Sequence, residues 1–113
     1  MSKRAVTQER ESKKVSRLEN LDEEALEMLR YRGRYLVVDT DSDLVFIGKL
    51  LEATGRSLTL EDVDVHDRRD SSSKNEKYVL DSKKHGVRSN RKTVHLRLQR
   101  VVSYSLLEDV TDY

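Results

Sequence analysis

The chain has no cysteine and no proline among its 113 residues, and only four glycines. Without cysteine it can form no disulfide, no thiolate nucleophile and no cysteine-ligated zinc site. Its start, Met1-Ser-Lys-Arg-Ala5, lacks the apolar segment of a secretory signal, and no apolar run approaches the roughly 20 residues that span a bilayer. We therefore expect a cytoplasmic protein that has no membrane partner.

Charged residues are abundant, at 38% of the chain, but their signs are unevenly distributed. Residues 1–17 carry six basic and two acidic side chains, residues 18–65 carry five and twelve, and residues 66–92 carry nine and four. The two basic segments are either the footprint of a nucleic acid or acidic partner, or solvated surface that collects lysine and arginine. We expect residues 1–19 to be a charged, flexible arm and residues 20–113 to form one domain.

Three consecutive strands joined by tight turns are predicted at 35–39, 44–53 and 57–67. Gly48 lies inside the second strand, where a glycine often marks the bend that a small barrel needs in order to close. In the third strand the apolar residues change face near Asp62, which predicts a bulge there.

The rest of the chain is predicted to add two more strands and one helix. Residues 68–92 are a long polar loop, with a hairpin extension or one helical turn around Tyr78, and two alternating strands follow on either side of a turn at Gln99-Arg100. Residues 20–33 have the capping and apolar spacing of a short amphipathic helix that ends at Gly33. We expect this helix to cover one end of the barrel, with a partner-binding helix as the alternative.

The order of a helix and five strands, with a bent second strand, resembles the Sm and Sm-like protein family over residues 20–110. Phe46-Ile-Gly-Lys-Leu50 is similar to the family's hydrophobic-x-Gly-x-Leu, and Leu58-Thr-Leu-Glu-Asp-Val63 is similar to its third-strand ending. Leu96-Arg-Leu-Gln-Arg-Val101 resembles the second motif, hydrophobic-Arg-Gly-x-x-Val, with Leu98 in place of glycine. The resemblance implies an all-β, five-stranded, bent antiparallel barrel of the Sm-like or SH3-like type with an N-terminal helix.

In that family two turns line a ring's central pore and bind uridine, so the resemblance implies single-stranded RNA as a partner. The family's base-contacting asparagine falls near Ser57, and Arg97 matches a binding position. Arg56 and Arg100 lie beside the same two turns and add forked donors for phosphate. We therefore predict nucleic-acid-binding residues at Arg56, Ser57, Arg97 and Arg100, against the alternative that Arg97 pairs with an acidic residue across strands.

Two other groups of residues, three aspartates and three histidines, do not indicate a metal site. Asp39-x-Asp41-x-Asp43 imitates the start of a calcium loop, but Leu44 stands where the EF-hand needs glycine, so a solvated hairpin turn is expected. The three histidines have no metal-site spacing. We expect no enzyme, no metal and no cofactor.

Two functions remain open at this point. The first is a non-enzymatic RNA-binding or RNA-scaffold protein that self-associates through its last two strands, as the resemblance implies. The second is a protein-interaction adaptor that kept the barrel and lost the RNA pocket, which Ser57 and Leu98 favour because they replace the motif's asparagine and glycine.

Overall fold

The computed structural model describes residues 23–70 and 75–111, so the predicted arm at 1–19 and the helix cap at Asn20 lie outside the described residues. Its helices and strands are, in chain order, α1 (Glu23–Leu29), β1 (Tyr35–Thr40), β2 (Leu44–Ala53), β3 (Ser57–Asp67), α2 (Asn75–His85), β4 (Arg91–Arg97) and β5 (Val101–Leu106). Short 3-10 helices follow the last two strands, at Leu98–Arg100 and Leu107–Asp109.

The five strands form one antiparallel sheet in the order β4-β3-β2-β1-β5. This confirms the prediction of a mainly β fold with five antiparallel strands and a preceding helix. Within the described residues, β4 pairs only with β3 and β5 only with β1, so the sheet is not closed. The structure therefore shows the five-stranded sheet but does not show its closure into the predicted barrel.

One face of the sheet carries the main hydrophobic core. Strands β1, β2, β3 and β5 contribute buried side chains, and Val94 and Leu96 of β4 pack against them while partly exposed. Helix α1 adds Met28, which is fully buried. All five strands and the first helix therefore share a single core on this inner face.

Gly48 lies where side chains of β3 approach the backbone of β2 closely. A Cβ atom at this position would lie 2.9 Å from Val63 Cγ2 and 3.0 Å from Leu60 Cβ. The register of the two strands shifts here, because Asp62 and Val63 together lie opposite Gly48, and Asp62 has a φ of 50°. The bulge predicted near Asp62 is confirmed, and it returns Val63 to the same core as Leu60.

The end of α1 is fixed to β2. Gly33, after the helix, has a φ of +84°, which glycine adopts without strain. Its amide donates to the carbonyl of Leu50 over 2.8 Å, and the amide of Leu50 donates to the carbonyl of Arg34 over 2.9 Å. This pair of hydrogen bonds holds the helix against the inner core, where Ala25 and Met28 are buried.

Helix α2 occupies much of the segment predicted as a long polar loop, and it covers the outer face of the sheet. Val79 is buried there, in a second core with Val37, Val45, Ile47 and Leu107. The helix extends over 11 residues, well beyond one turn, and Gly86 with a φ of +93° follows it. Among its described side chains α2 buries Val79 and Ser82 and part of Tyr78 and Leu80, and its sequence shows no continuous apolar stripe.

No helix in residues 23–70 or 75–111 combines the length and the apolar character that a transmembrane span requires.

Candidate nucleic-acid interface

The turns after β2 and β4 meet at one end of the sheet. The β3–β4 register places Ser57 opposite Arg97, and the amide of Leu98 donates to the carbonyl of Arg56 over 2.8 Å. A depression of about 230 Å³ lies between the two turns and is lined by Gly55, Arg56, Arg97 and Gln99. The structure therefore brings together two of the four predicted nucleic-acid-binding residues, Arg56 and Arg97.

Thr54 organises the first of these turns. Its hydroxyl oxygen accepts hydrogen bonds from the amides of Arg56 and Ser57, over 3.1 and 3.0 Å. The Ser57 hydroxyl lies 3.2 Å from the same oxygen. Ser57 thus lies next to the depression without lining it, and its side chain is engaged in holding the turn that positions Arg56.

The guanidinium groups of Arg56 and Arg97 belong to exposed residues. Across the described ranges 23–70 and 75–111, neither group has a hydrogen-bond or ion-pair partner. The alternative that Arg97 pairs with an acidic residue across strands is therefore not seen in that part of the chain. Two planar, five-donor groups at one depression can bind phosphate or stack on a base.

Arg100 lies apart from this depression. Its Nε donates to Asp41 Oδ1 over 2.9 Å, and its carbonyl accepts the amide of Asp41 over 3.0 Å. The side chain is therefore bound to the β1–β2 turn and has a carboxylate partner. A phosphate that reached Arg100 would compete with Asp41.

Three carboxylates, one near the end of β1 and two in the β1–β2 turn, each pair with an arginine. Asp39 accepts from Arg68 over 2.5 Å and Asp43 lies 3.4 Å from Arg69, in addition to the Asp41 contact with Arg100. The expected solvated turn is therefore an ion-pair network, and no group of three or more potential metal ligands is found in the described residues.

The same network perturbs one carboxyl group strongly. The Arg69 guanidinium donates to Asp67 over 2.8 and 3.1 Å, and the Arg69 amide donates over 2.9 Å. These hydrogen bonds lower the pKa of Asp67 from 3.8 to about 2. Arg68 and Arg69, which the sequence places in the basic segment 66–92, are thus partly neutralised by their neighbours.

Sequence reasoning missed two residues of the depression, Gly55 and Gln99. The sequence predicts Gln99 only as part of a turn, and Gly55 lies between the second and third predicted strands. The available signal was their position, since each adjoins an arginine that the resemblance or its turn had marked. The β3–β4 pairing brings the two turns together, and it could not be inferred from the sequence.

In comparisons with known proteins, no protein-family model matches this chain and no curated protein matches it. The similarity to the Sm and Sm-like family therefore stays a prediction that depends on the quoted motifs.

Proposed function

We propose that this chain is a non-enzymatic, single-stranded-RNA-binding protein of the Sm-like kind that assembles through its two edge strands. The observation that carries the proposal is the depression in which Arg56 and Arg97 lie together without acidic partners in the described part of the chain.

The chemistry of the depression suits a flexible, negatively charged strand. Both arginines can donate to phosphate oxygens or stack on an unpaired base, and the Gln99 amide can donate to or accept from a base edge. Gly55 has no side chain, so a backbone or base can approach closely. Sites of this kind bind single strands through stacking and phosphate contacts, and their affinity falls as the salt concentration rises.

The edges of the sheet support assembly. Strands β4 and β5 lie at opposite edges, each with one strand neighbour among the described residues. Val102, on the edge strand β5, is 69% exposed and is therefore accessible to a second copy. Pairing of β4 of one copy with β5 of the next would satisfy both edges, and its repetition closes a ring when the rotation allows it.

The shared core supports the barrel expected for such a protein. A flat sheet would place its first and fifth strands about 19 Å apart, at roughly 4.8 Å per neighbour. Side chains of both edge strands nevertheless belong to one inner core, and β2 and β3 shift register opposite Gly48 and beside Leu51. Bulges of this kind bend strands in small barrels.

A second candidate, a protein-interaction adaptor that has lost the RNA pocket, is favoured by Leu98 and Ser57. Leu98 is 8% exposed and belongs to the inner core, where the family motif has glycine. The Ser57 hydroxyl is engaged with Thr54 and does not line the depression. A specific uridine pocket is therefore less complete here than the two arginines alone suggest.

The two candidates differ in RNA affinity. Fluorescence anisotropy with a labelled uridine-rich strand, at two salt concentrations, should show binding that weakens with salt and falls about tenfold or more in Arg97→Ala. Arg30→Ala is the control, because it removes one exposed positive charge from a residue that does not line the depression. Absence of binding at low salt would remove the RNA proposal and favour the adaptor.

A further inference from the structure

A second concave site lies on the outer face of the sheet, and it shares no residue with the Arg56–Arg97 depression. It is a groove of about 440 Å³ between the start of β1, the end of α2 and the last 3-10 helix. The side chains that matter for its chemistry are Arg34, Tyr35, Lys49, Lys83, Leu107 and Glu108. None of the functions discussed above uses this groove.

Positive charge dominates the groove. Arg34, Lys49 and Lys83 come from three separate parts of the fold, and Glu108 is the one acidic side chain among the lining residues, where it pairs with Arg34. The Lys83 ammonium donates to the carbonyl of Val110, which carries no charge. Within the described residues, Lys83 and Lys49 therefore have no carboxylate partner.

Lys49 is the more informative of the two lysines. It is only partly exposed, and its ammonium lies 5.6 Å from the centre of the Tyr35 ring. A contact with an aromatic face compensates part of the desolvation of a cation but does not neutralise its charge. A half-buried lysine without a carboxylate partner is a favourable position for an anion brought by a ligand.

The floor of the groove is apolar. Leu107 is 7% exposed and Tyr35 is half-buried, and both pack with the outer core beneath α2. A ligand that fills the groove therefore needs an apolar group between its negative charges. The pairing of Glu108 with Arg34 shows that the groove accommodates a carboxylate beside this floor.

We propose that this groove binds an acidic peptide segment in which an apolar side chain is flanked by carboxylates. The apolar side chain lies on Leu107 and the edge of Tyr35, while the carboxylates pair with Lys49 and Lys83. A nucleotide fits less well, because the Lys49 ammonium covers a face of the Tyr35 ring that a base would need for stacking. The groove thus adds a protein-binding surface on the face opposite the inner core.

The test uses the full chain and a fluorescein-labelled peptide in which aspartate and glutamate alternate with leucine. Its anisotropy should rise in a saturable way, and a peptide with asparagine and glutamine at the acidic positions should bind at least about tenfold more weakly. Lys49→Gln should lower the affinity of the acidic peptide by about tenfold, and Lys49→Arg should restore most of it. Arg30→Ala, which removes a positive charge outside the groove, is the matched control.

Three results would overturn the proposal. The first is no saturable binding of the acidic peptide at low salt, and the second is equal binding by the wild type and by a folded Lys49→Gln variant. The third is competition by a uridine-rich strand that itself depends on Lys49, which would assign the groove to RNA. Far-UV circular dichroism of each variant ensures that a loss of binding reports the groove and not unfolding.

Discussion

At the scale of single residues, Gly48 is a position where β3 leaves no room for a side chain on β2. The β2–β3 bulge and the inner core meet there, and the nearest side-chain atoms belong to Val63 and Leu60. A methyl group would force one of these neighbours or the backbone to move. The close packing at this bulge therefore depends on the absence of a side chain at position 48.

We predict that Gly48→Ala destabilises the fold by about 1–3 kcal/mol. Urea unfolding followed by circular dichroism measures the change. The double variant Gly48→Ala with Val63→Ala removes Val63 Cγ2, so the alanine at position 48 should cost less in that background than in the wild type. Equal costs in the two backgrounds would show that the close contact with Val63 does not decide the stability.

The predicted arginines differ in how free they are to bind a ligand. Arg56 and Arg97 have no partner in the described part of the chain, whereas Arg100 already binds Asp41. We predict that Arg56→Ala and Arg97→Ala each weaken uridine-rich RNA binding about tenfold or more, and that Arg100→Ala weakens it less. Anisotropy titrations of the three variants at one salt concentration compare them directly. A larger loss in Arg100→Ala would place the RNA on the β1–β2 turn instead.

At the scale of elements, α2 is held to the sheet by a few specific contacts. The Tyr78 hydroxyl donates to Asp64 Oδ2 over 2.7 Å, and its ring stacks on His66 with centroids 3.8 Å apart. Burial, followed by the hydrogen bond to Asp64, raises the pKa of the Tyr78 hydroxyl well above its ordinary value of 10.0. The docked position of α2 therefore favours the protonated form of the Tyr78 hydroxyl.

The raised pKa gives a pH dependence with a definite sign. Below pH 10, Tyr78 is protonated in both the folded and unfolded chain, and its contribution to stability is fully present. Above pH 10 the unfolded chain releases this proton and the folded chain keeps it, so the contribution falls. We predict that Tyr78→Phe costs about 1–2 kcal/mol at pH 7 and that the cost shrinks above pH 10.

Urea unfolding of the wild type and Tyr78→Phe between pH 7 and pH 11 measures this difference. Tyr31→Phe is the matched control, since the Tyr31 hydroxyl makes no hydrogen bond within residues 23–70 and 75–111. A Tyr78→Phe cost that stays constant through this range would contradict the assigned role of the buried hydroxyl.

The strands β2 and β3 could be predicted from the sequence more accurately than helix α2. The bounds of β2 and β3 follow from apolar and β-branched runs between turn residues, and the bulge at Asp62 follows from the change of face among the apolar residues of β3. Helix α2 was not predicted at its full length, since its residues are mostly polar and, among those described, only Val79 and Ser82 are buried. Its stability comes from contacts with distant residues such as Val45 and Asp64, which local sequence does not reveal.

In the candidate site, too, single residues could be predicted from the sequence, whereas their contacts with distant residues could not. Arg97 could be marked from its motif, and Arg56 from its place in a turn. That the two share a depression depends on the pairing of β3 with β4. That Arg100 is bound by Asp41 depends on the neighbouring β1–β5 pairing, which is equally long-range.

At the scale of the whole molecule, the two edges of the sheet define how copies can meet. We predict that the chain forms oligomers by pairing of β4 with β5, and that Val102→Asp reduces the solution mass to the 13.2 kDa of one chain. Leu26→Asp is the matched control, because it places the same charge at another exposed apolar residue, on α1. Sedimentation equilibrium of the three proteins gives the masses. A wild type that is already a monomer would contradict assembly.

The account as a whole depends on RNA contacting the depression between the β2–β3 and β4–β5 turns. The most direct test is an NMR titration of the isotope-labelled chain with a uridine-rich strand, in which the side-chain Nε–H signals of the arginines are followed. The account predicts that the signals of Arg56 and Arg97, with the amides of Gly55 and Gln99, shift and saturate together. Shifts confined to the basic segment 66–92, or no shifts at low salt, would contradict it.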